Sequence, residues 1–273
     1  MSDEMAGLPL PLSGETRVYI IVGDPIAQVG SPLRFNTAFR RRNMIAVLIP
    51  AHVLSDGLLP LLSGLRHMRN LDGIVVTVPH KFAVLDLVDE VGVSARRIGA
   101  INAIRCQPDG TWLGDNFDGK GCLDALQADG RSVSQRKILL VGAGGAGSAV
   151  AHSMADGGAC MIHISDLDDC RQRRLAESLI DAHPHLSVEV GSNDPSGFDV
   201  VVNCTPLGMR DGDPFPVDPD AIRRDALVVD VILKPHRSPF LKAAEARGCA
   251  TQPGSRMLEG QIEAMLDFFT AKD

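Results

Sequence analysis

The chain of 273 residues has six cysteines, at positions 106, 122, 160, 170, 204 and 249, and no C-x-x-C pair among them. That excludes the usual zinc and dithiol signatures, and single cysteines inside apolar runs read as buried, reduced thiols of a cytoplasmic protein. Basic residues are not in excess. With 27 Lys and Arg against 34 Asp and Glu, the formal net charge is −7, which gives no electrostatic footprint for nucleic acid or an anionic membrane. The acidic, proline-bearing N-terminus has no basic region ahead of an apolar core, so no secretory leader is expected, and no apolar run reaches spanning length. Internal repeats and low-complexity tracts are missing too. These absences leave a small-molecule partner, and the length suits two domains in a monomer or homodimer.

Along the chain, short apolar runs alternate with helical spacing. Residues 1–19 read as a loose arm entering a strand at 17–22; runs at 44–49 and 73–78 alternate with helical patterns at 32–42, 54–68 and 82–91. Segments 101–106 and 111–113, joined by Gln107-Pro108-Asp109-Gly110, read as a hairpin. A helix at 119–128 and a polar turn then lead to a second alternating series, with strands at 138–141, near 188, at 199–203 and at 227–232, helices at 169–181 and 239–247, and a final helix at 256–269. The fold class expected is α/β with two α/β domains, a substrate domain at 1–120 and a doubly wound, Rossmann-type nucleotide domain at 121–252. Residues 253–273 are expected to return to the first domain.

The most informative stretch is 137–166. Gly142, Gly144 and Gly147 form G-x-G-x-x-G directly after an apolar run and before a helical one, and Asp166 closes the next run nineteen residues after Gly147. In this pattern the first glycine permits the tight turn, the second lets backbone approach a pyrophosphate and the third allows close packing. The helix N-terminus donates N–H groups to the anion, and the acidic residue accepts from a ribose. A dinucleotide site follows from the whole βαβ context.

Several polar strings sit at element ends: Gly30-Ser31-Pro32, Thr77-Val78-Pro79-His80-Lys81, Ile101-Asn102-Ala103, Asp115-Asn116-Phe117-Asp118-Gly119, and Asn203-Cys204-Thr205-Pro206-Leu207-Gly208-Met209. In this order, with the glycine motif between the last two, they resemble the shikimate and quinate dehydrogenase family over about residues 17–270. The resemblance implies hydride transfer between NAD(P) and the ring hydroxyl or ketone of shikimate, 3-dehydroshikimate or a related cyclic hydroxy acid. It implies Lys81 and Asp118 as the catalytic pair, with Ser31, Thr77, Asn102 and Gln261 binding substrate. For the cofactor it implies Gly142, Gly144, Gly145, Ala146, Gly147, Asp166, Asn203, Thr205, Pro206 and Gly254. A lysine serves as proton acceptor where its ammonium can give up its proton near neutral pH. Plainer readings stand beside these: Lys81 as a helix-start lysine, Asp118 as the N-cap of the 119–128 helix, Ser31 as an N-cap before Pro32, and His80 as a rival base. His183-Pro184-His185 has no third ligand at useful spacing, so no metal is expected.

Departures from the family strings are concentrated in substrate recognition. Val29 stands for a serine, Val75 for an asparagine, Phe117 for a threonine and Leu233 for a tyrosine, while Lys81, Asn102 and Asp118 are kept. Arg34 could replace a lost hydroxyl with a charge or be an ordinary surface arginine. Where NADPH-using relatives carry N-R-T after the second nucleotide strand, this chain has Ser165-Asp166-Leu167-Asp168, so NAD is the expected cofactor, while Arg171, Arg173 and Arg174 leave room for NADP. Two alternatives follow: the same chemistry on a cyclic polyol without a carboxylate, or a non-catalytic NAD-binding regulator.

Overall fold

A computed structural model describes residues 12–27, 29–210 and 212–271; most of the expected N-terminal arm, and Gln28 of the first polar string, lie outside the described residues. The chain divides into two units, residues 1–116 with 262–273, and residues 117–261. The boundary thus falls at 116/117, where the sequence suggested 120/121. The final helix is shared between units instead of belonging wholly to the first.

The first unit contains β1 (Arg17–Gly23), α1 (Ser31–Arg41), β2 (Ala46–His52), α2 (Leu58–Leu65), β3 (Leu71–Val76), β4 (Glu90–Val91), α3 (Val93–Ile98), β5 (Ala103–Cys106) and β6 (Trp112–Asp115). Its sheet runs β2-β1-β3-β5-β6-β4, with β1 parallel to both β2 and β3, and β5 antiparallel to β3 and β6. Alternation sorts the side chains. Ile20, Val22, Ile74 and Val76 pack with Leu58, Leu62 and Leu65 of α2. Tyr19 meets Phe39 of α1 at 4.8 Å and Phe269 at 5.2 Å between ring centroids. A Cβ on Gly73 would lie 2.7 Å from the Phe269 ring, so glycine here lets the ring rest on the sheet.

The helix expected at 82–91 does not form. Only a 3₁₀ turn, Ala83–Leu87, is made before β4 pairs with β6, because Asp89 N donates to the Trp112 carbonyl and draws the backbone into the sheet.

The second unit contains α4 (Asp118–Ala128), β7 (Lys137–Val141), α5 (Gly145–Asp156), β8 (Met161–Ser165), α6 (Asp169–Ala182), β9 (Ser187–Val190), β10 (Val200–Asn203), β11 (Leu227–Asp230), α7 (Pro239–Ala246), β12 (Ala250–Gln252) and the start of α8 (Gly254–Thr270). Its pairings are all parallel in the order β12-β11-β10-β7-β8-β9, the doubly wound arrangement. Ile138 and Leu140 face Val150, Met154, Leu175 and Leu179 of α5 and α6. On the other side, Leu139 and Val141 face Phe240, Leu241 and Ala244 of α7. Strands buried on both faces explain the unbroken apolar runs. No helix among the described residues is long and apolar enough to cross a membrane.

Candidate active site

In the first unit, β1 and β3 end side by side. Thr77 N donates to Val22 O at 3.0 Å and Asp24 N to Val78 O at 2.9 Å, while a Cβ on Gly23 would come within 2.4 Å of Thr77 Cγ2. Asn102 joins this edge through its carbonyl, which accepts from Val76 N at 2.8 Å; the Lys81 carbonyl accepts from Ile101 N at 2.8 Å. Thr77 and half-buried Lys81 therefore follow the carboxyl end of β3, where open α/β sheets place their ligands, and buried Asn102, at the amino end of antiparallel β5, lies beside that end.

Ser31 opens α1, but the N-cap is Gly30 and no side chain caps the helix, so the capping explanation for Ser31 fails. Half-buried Arg34 turns back, with Nη1 3.4 Å from Gly30 O. His80 is buried and its Nε2 donates to the Val53 carbonyl at 2.7 Å. That bond anchors the ring in the core, where it is 1% exposed. Val75 is buried within β3, and Val29 is half-buried.

In the second unit, Asp118 is the first residue of α4 and Phe117 is its N-cap, so the N-cap role expected for Asp118 does not hold either. Its carboxylate instead accepts from Gln261 Nε2. Glycines make this contact. A Cβ on Gly121 would lie 2.6 Å from both Gln261 N and Met257 O, and one on Gly260 would lie 2.5 Å from Gly121 O, so α4 and α8 cross almost backbone to backbone. On its other side α4 meets α5, where a Cβ on Gly119 would lie 2.0 Å from Ala149 O. Gly119, Gly121 and Gly260 are positioning residues that sequence reasoning missed. The available signal was glycine inside helices, which costs about 1 kcal/mol per residue and calls for a packing reason.

The glycine turn between β7 and α5 gives each glycine a separate cause. Gly142 has φ of +100°, a Cβ on Gly147 would lie 1.9 Å from Gly142 O, and the space beside Gly144 is open. Gly145, Ala146 and Gly147 form the first turn of α5, whose amides have no earlier helical carbonyl to bond. Asp166 follows β8 with a carboxylate only 8% exposed; Oδ2 accepts from Ala143 N at 2.6 Å and Oδ1 from Asp168 N at 2.8 Å. Leu167 is fully exposed. Arg171 Nε bonds Asp168 Oδ2 at 3.1 Å, and the Arg171 and Cys170 amides hold the Asp168 carboxyl below the usual range. Arg173 and Arg174 lie on the solvated face of α6.

The loop after β10 faces this turn: a Cβ on Gly142 would lie 2.9 Å from Cys204 C and Thr205 Cγ2. Asn203 itself is fully buried. Its Nδ2 donates to Leu207 O and Asp230 Oδ1, both at 3.2 Å, and its Oδ1 accepts from Thr205 N and Oγ1 at 3.0 and 2.7 Å. With its amide spent inside the protein, Asn203 shapes the loop that follows β10. Thr205 Oγ1 also accepts from Leu207 N, and Pro206 is exposed. Gly254 opens α8 where a Cβ would lie 2.5 Å from Val231 O. Away from these loops, His183 lies 3.2 Å from His152. No group of three metal-ligating side chains occurs among the described residues.

Comparison with known proteins matches residues 21–104 to the shikimate dehydrogenase substrate binding domain. Over 256 residues the chain is 35% identical to a shikimate dehydrogenase (NADP(+)) of Rubrobacter xylanophilus, covering 90% of this chain and 88% of the relative. The chain belongs to the shikimate dehydrogenase family. Among solved structures, family members include the shikimate 5-dehydrogenase of Listeria monocytogenes in complex with shikimate and NAD, with TM-score 0.89, 26% identity and coverage of 97% and 96%. The ligand-free 5-ketofructose reductase of Gluconobacter sp. strain CHM43 is comparably similar, with TM-score 0.87, 28% identity and 94% of each chain covered.

Proposed function

We propose that the chain is an NAD(P)-dependent dehydrogenase that interconverts a ring hydroxyl and a ketone on shikimate or a related cyclic hydroxy acid. The observation that carries this reading is the glycine turn, whose open Gly144 flank, left-handed Gly142 and packed Gly147 fit a pyrophosphate against the α5 N-terminus. A nicotinamide bound there would accept or supply the hydride. Lys81 takes the hydroxyl proton during oxidation and returns it during reduction. Asp118 supports that transfer, and Gln261, which already donates to Asp118, keeps its carbonyl oxygen for a substrate hydroxyl. Asn102 binds a second ring hydroxyl, and Ser31 and Thr77 donate to the carboxylate.

NAD is the preferred nucleotide in this reading. The Asp166 carboxylate would repel a 2′-phosphate and accept from a free 2′-hydroxyl. Exposed Leu167 offers no cation beside Asp166, and Arg171 is engaged by both Asp168 and Asp166. The family's known nucleotides include both NADP(+) and NAD, so the side chains of this chain must carry the argument. Steady-state assays of shikimate with each nucleotide test it. We expect kcat/KM to favour NAD, and Asp166→Ala to narrow that preference by about tenfold, the scale of a lost charged hydrogen bond. A wild-type preference for NADP overturns it in favour of the Arg171 to Arg174 cluster.

A second reading retains the chemistry on a substrate without a carboxylate. Val29, Val75, Phe117 and Leu233 favour it, and so does the similarity to an enzyme named for a keto sugar. A screen of cyclic polyols, keto sugars and hydroxy acids with NAD and NADP separates the two. Absence of turnover on every compound would support a nucleotide-binding regulator instead.

A further inference from the structure

Asp230, at the end of β11, is an almost completely buried carboxylate with no part in the proton transfer above. Its Oδ1 accepts from Asn203 Nδ2 at 3.2 Å and from Ile232 N at 3.0 Å, and its Oδ2 accepts from Ser238 Oγ at 2.5 Å. Ser238 in turn caps α7, accepting from Leu241 N at 3.2 Å. Because Asp230 fixes the Asn203 amide group, it also fixes the orientation in which Asn203 Oδ1 receives both Thr205 donors. The same loop lies against Gly142, and a Cβ on Gly208 would touch Ile232 and Ser238 at 3.4 and 3.5 Å. One carboxylate thus ties together three pieces of backbone: the 203–209 loop, the turn after β11 and the start of α7.

We infer that Asp230 is a positioning residue for the nucleotide crevice, holding the 203–209 loop against the glycine turn through the side chain of Asn203. The inference rests on the nucleotide-binding reading above. Burial pushes the Asp230 carboxyl above its usual range, opposed by the bonds from Ser238, Ile232 and Asn203. The neighbouring titratable group is the Cys204 thiol, itself pushed well up by burial, and no cation acts on Asp230 among the described residues. Loop placement therefore depends on hydrogen-bond acceptors and not on an ion pair. Asparagine at 230 can still accept from Asn203 and Ile232 through its carbonyl while donating to Ser238, whereas alanine leaves all three donors unanswered.

The test is titration of the full-length protein with NADH and NADPH, following nicotinamide fluorescence, alongside thermal melting. Asp230→Ala should raise Kd for the preferred nucleotide by about tenfold or more, and Asp230→Asn should recover most of that loss. Ser238→Ala should lower the melting temperature through loss of the α7 cap yet move Kd by less than about twofold. Should Asp230→Ala not fold, Asn203→Ala cuts the same link from the loop side and should raise Kd comparably. The inference is overturned by unchanged nucleotide binding in folded Asp230→Ala or Asn203→Ala, or by an equal Kd rise in Ser238→Ala. Failure of the wild-type protein to bind either nucleotide overturns the nucleotide-binding reading itself, and this is distinguishable from a variant-specific result.

Discussion

The strand ends of the two units bear on function in different ways. In the second unit the backbone does most of the shaping: Gly142, Gly144 and Gly147 are fixed by a positive φ, an open flank and a 1.9 Å approach, with Asn203 and Asp166 as internal braces. In the first unit the backbone only presents side chains, and Ser31, Thr77, Lys81 and Asn102 are the ones proposed to supply the chemistry. A surface made of backbone resists change because most substitutions clash, whereas a surface of side chains can be rewritten one residue at a time. Of the four apolar residues that stand at polar positions of the family strings, Val29 and Val75 lie in the first unit and Phe117 and Leu233 in the second, all of them side-chain positions, while the three motif glycines are present.

The largest expected effect breaks the chemistry without touching the backbone crevice. Lys81→Ala should lower kcat by about two to four orders of magnitude, the scale of general acid–base catalysis, with a much smaller change in nucleotide Kd. Near-normal turnover would remove Lys81 from its role. The converse change, Gly147→Ala, should damage the crevice by steric means; a cost of roughly 1–3 kcal/mol in denaturant unfolding and weakened nucleotide binding are expected. Wild-type affinity in that variant would mean the turn can yield, and the contrast between units would fail.

A smaller effect sharpens the comparison. Val29→Ser restores a hydroxyl at the substrate edge and should lower KM for shikimate by about tenfold at most, leaving kcat nearly constant, because such a contact serves ground and transition states alike. A KM that does not move supports the substrate without a carboxylate.

The smallest effect concerns Asp115, at the end of β6. Burial outweighs the bonds from the Ala95, Asn116 and Ser94 amides and raises its carboxyl above the usual range. A folded-state value above the unfolded one means the folded chain binds the proton more readily, so stability declines as pH rises from about 4 through the raised value. The stability of the wild-type protein relative to Asp115→Asn should fall across that window and level off above it. A pH-independent difference in melting temperature would contradict the shift.

The parallel, doubly wound character of the second unit was legible because parallel strands buried on both faces appear as unbroken apolar runs, and Val200–Asn203 and Leu227–Asp230 are of this kind. Segment 82–91 was misread because Phe82, Val84, Leu85, Val88 and Val91 repeat at helical intervals. What decides its structure is pairing with Trp112 and Leu113, more than twenty residues away. Helix α3 escaped notice for a similar reason: Asp115 Oδ1 accepts from Ala95 N at 2.8 Å, a bond between residues twenty positions apart. In the candidate site, motif strings singled out Lys81, Asp118 and the glycine turn as candidates. They could not distinguish a residue that touches a ligand from one that braces a loop, as at Asn203, because that depends on where its hydrogen bonds end.

Asp166 serves two purposes with one carboxylate. It is the group proposed to read the ribose, and it also fastens Ala143 of the glycine turn and the start of α6. On that proposal, cofactor preference and loop rigidity are not independent traits. Exchanging Asp166 for a residue that welcomes a phosphate also releases two backbone amides, so the first step of any cofactor switch is a poorer binder of both nucleotides. A route to NADP must pass through a compensating change that secures Ala143 again. Directed evolution selecting on NADP turnover would then recover paired substitutions, one at 166 and one against the glycine turn, before it recovered any arginine at 167.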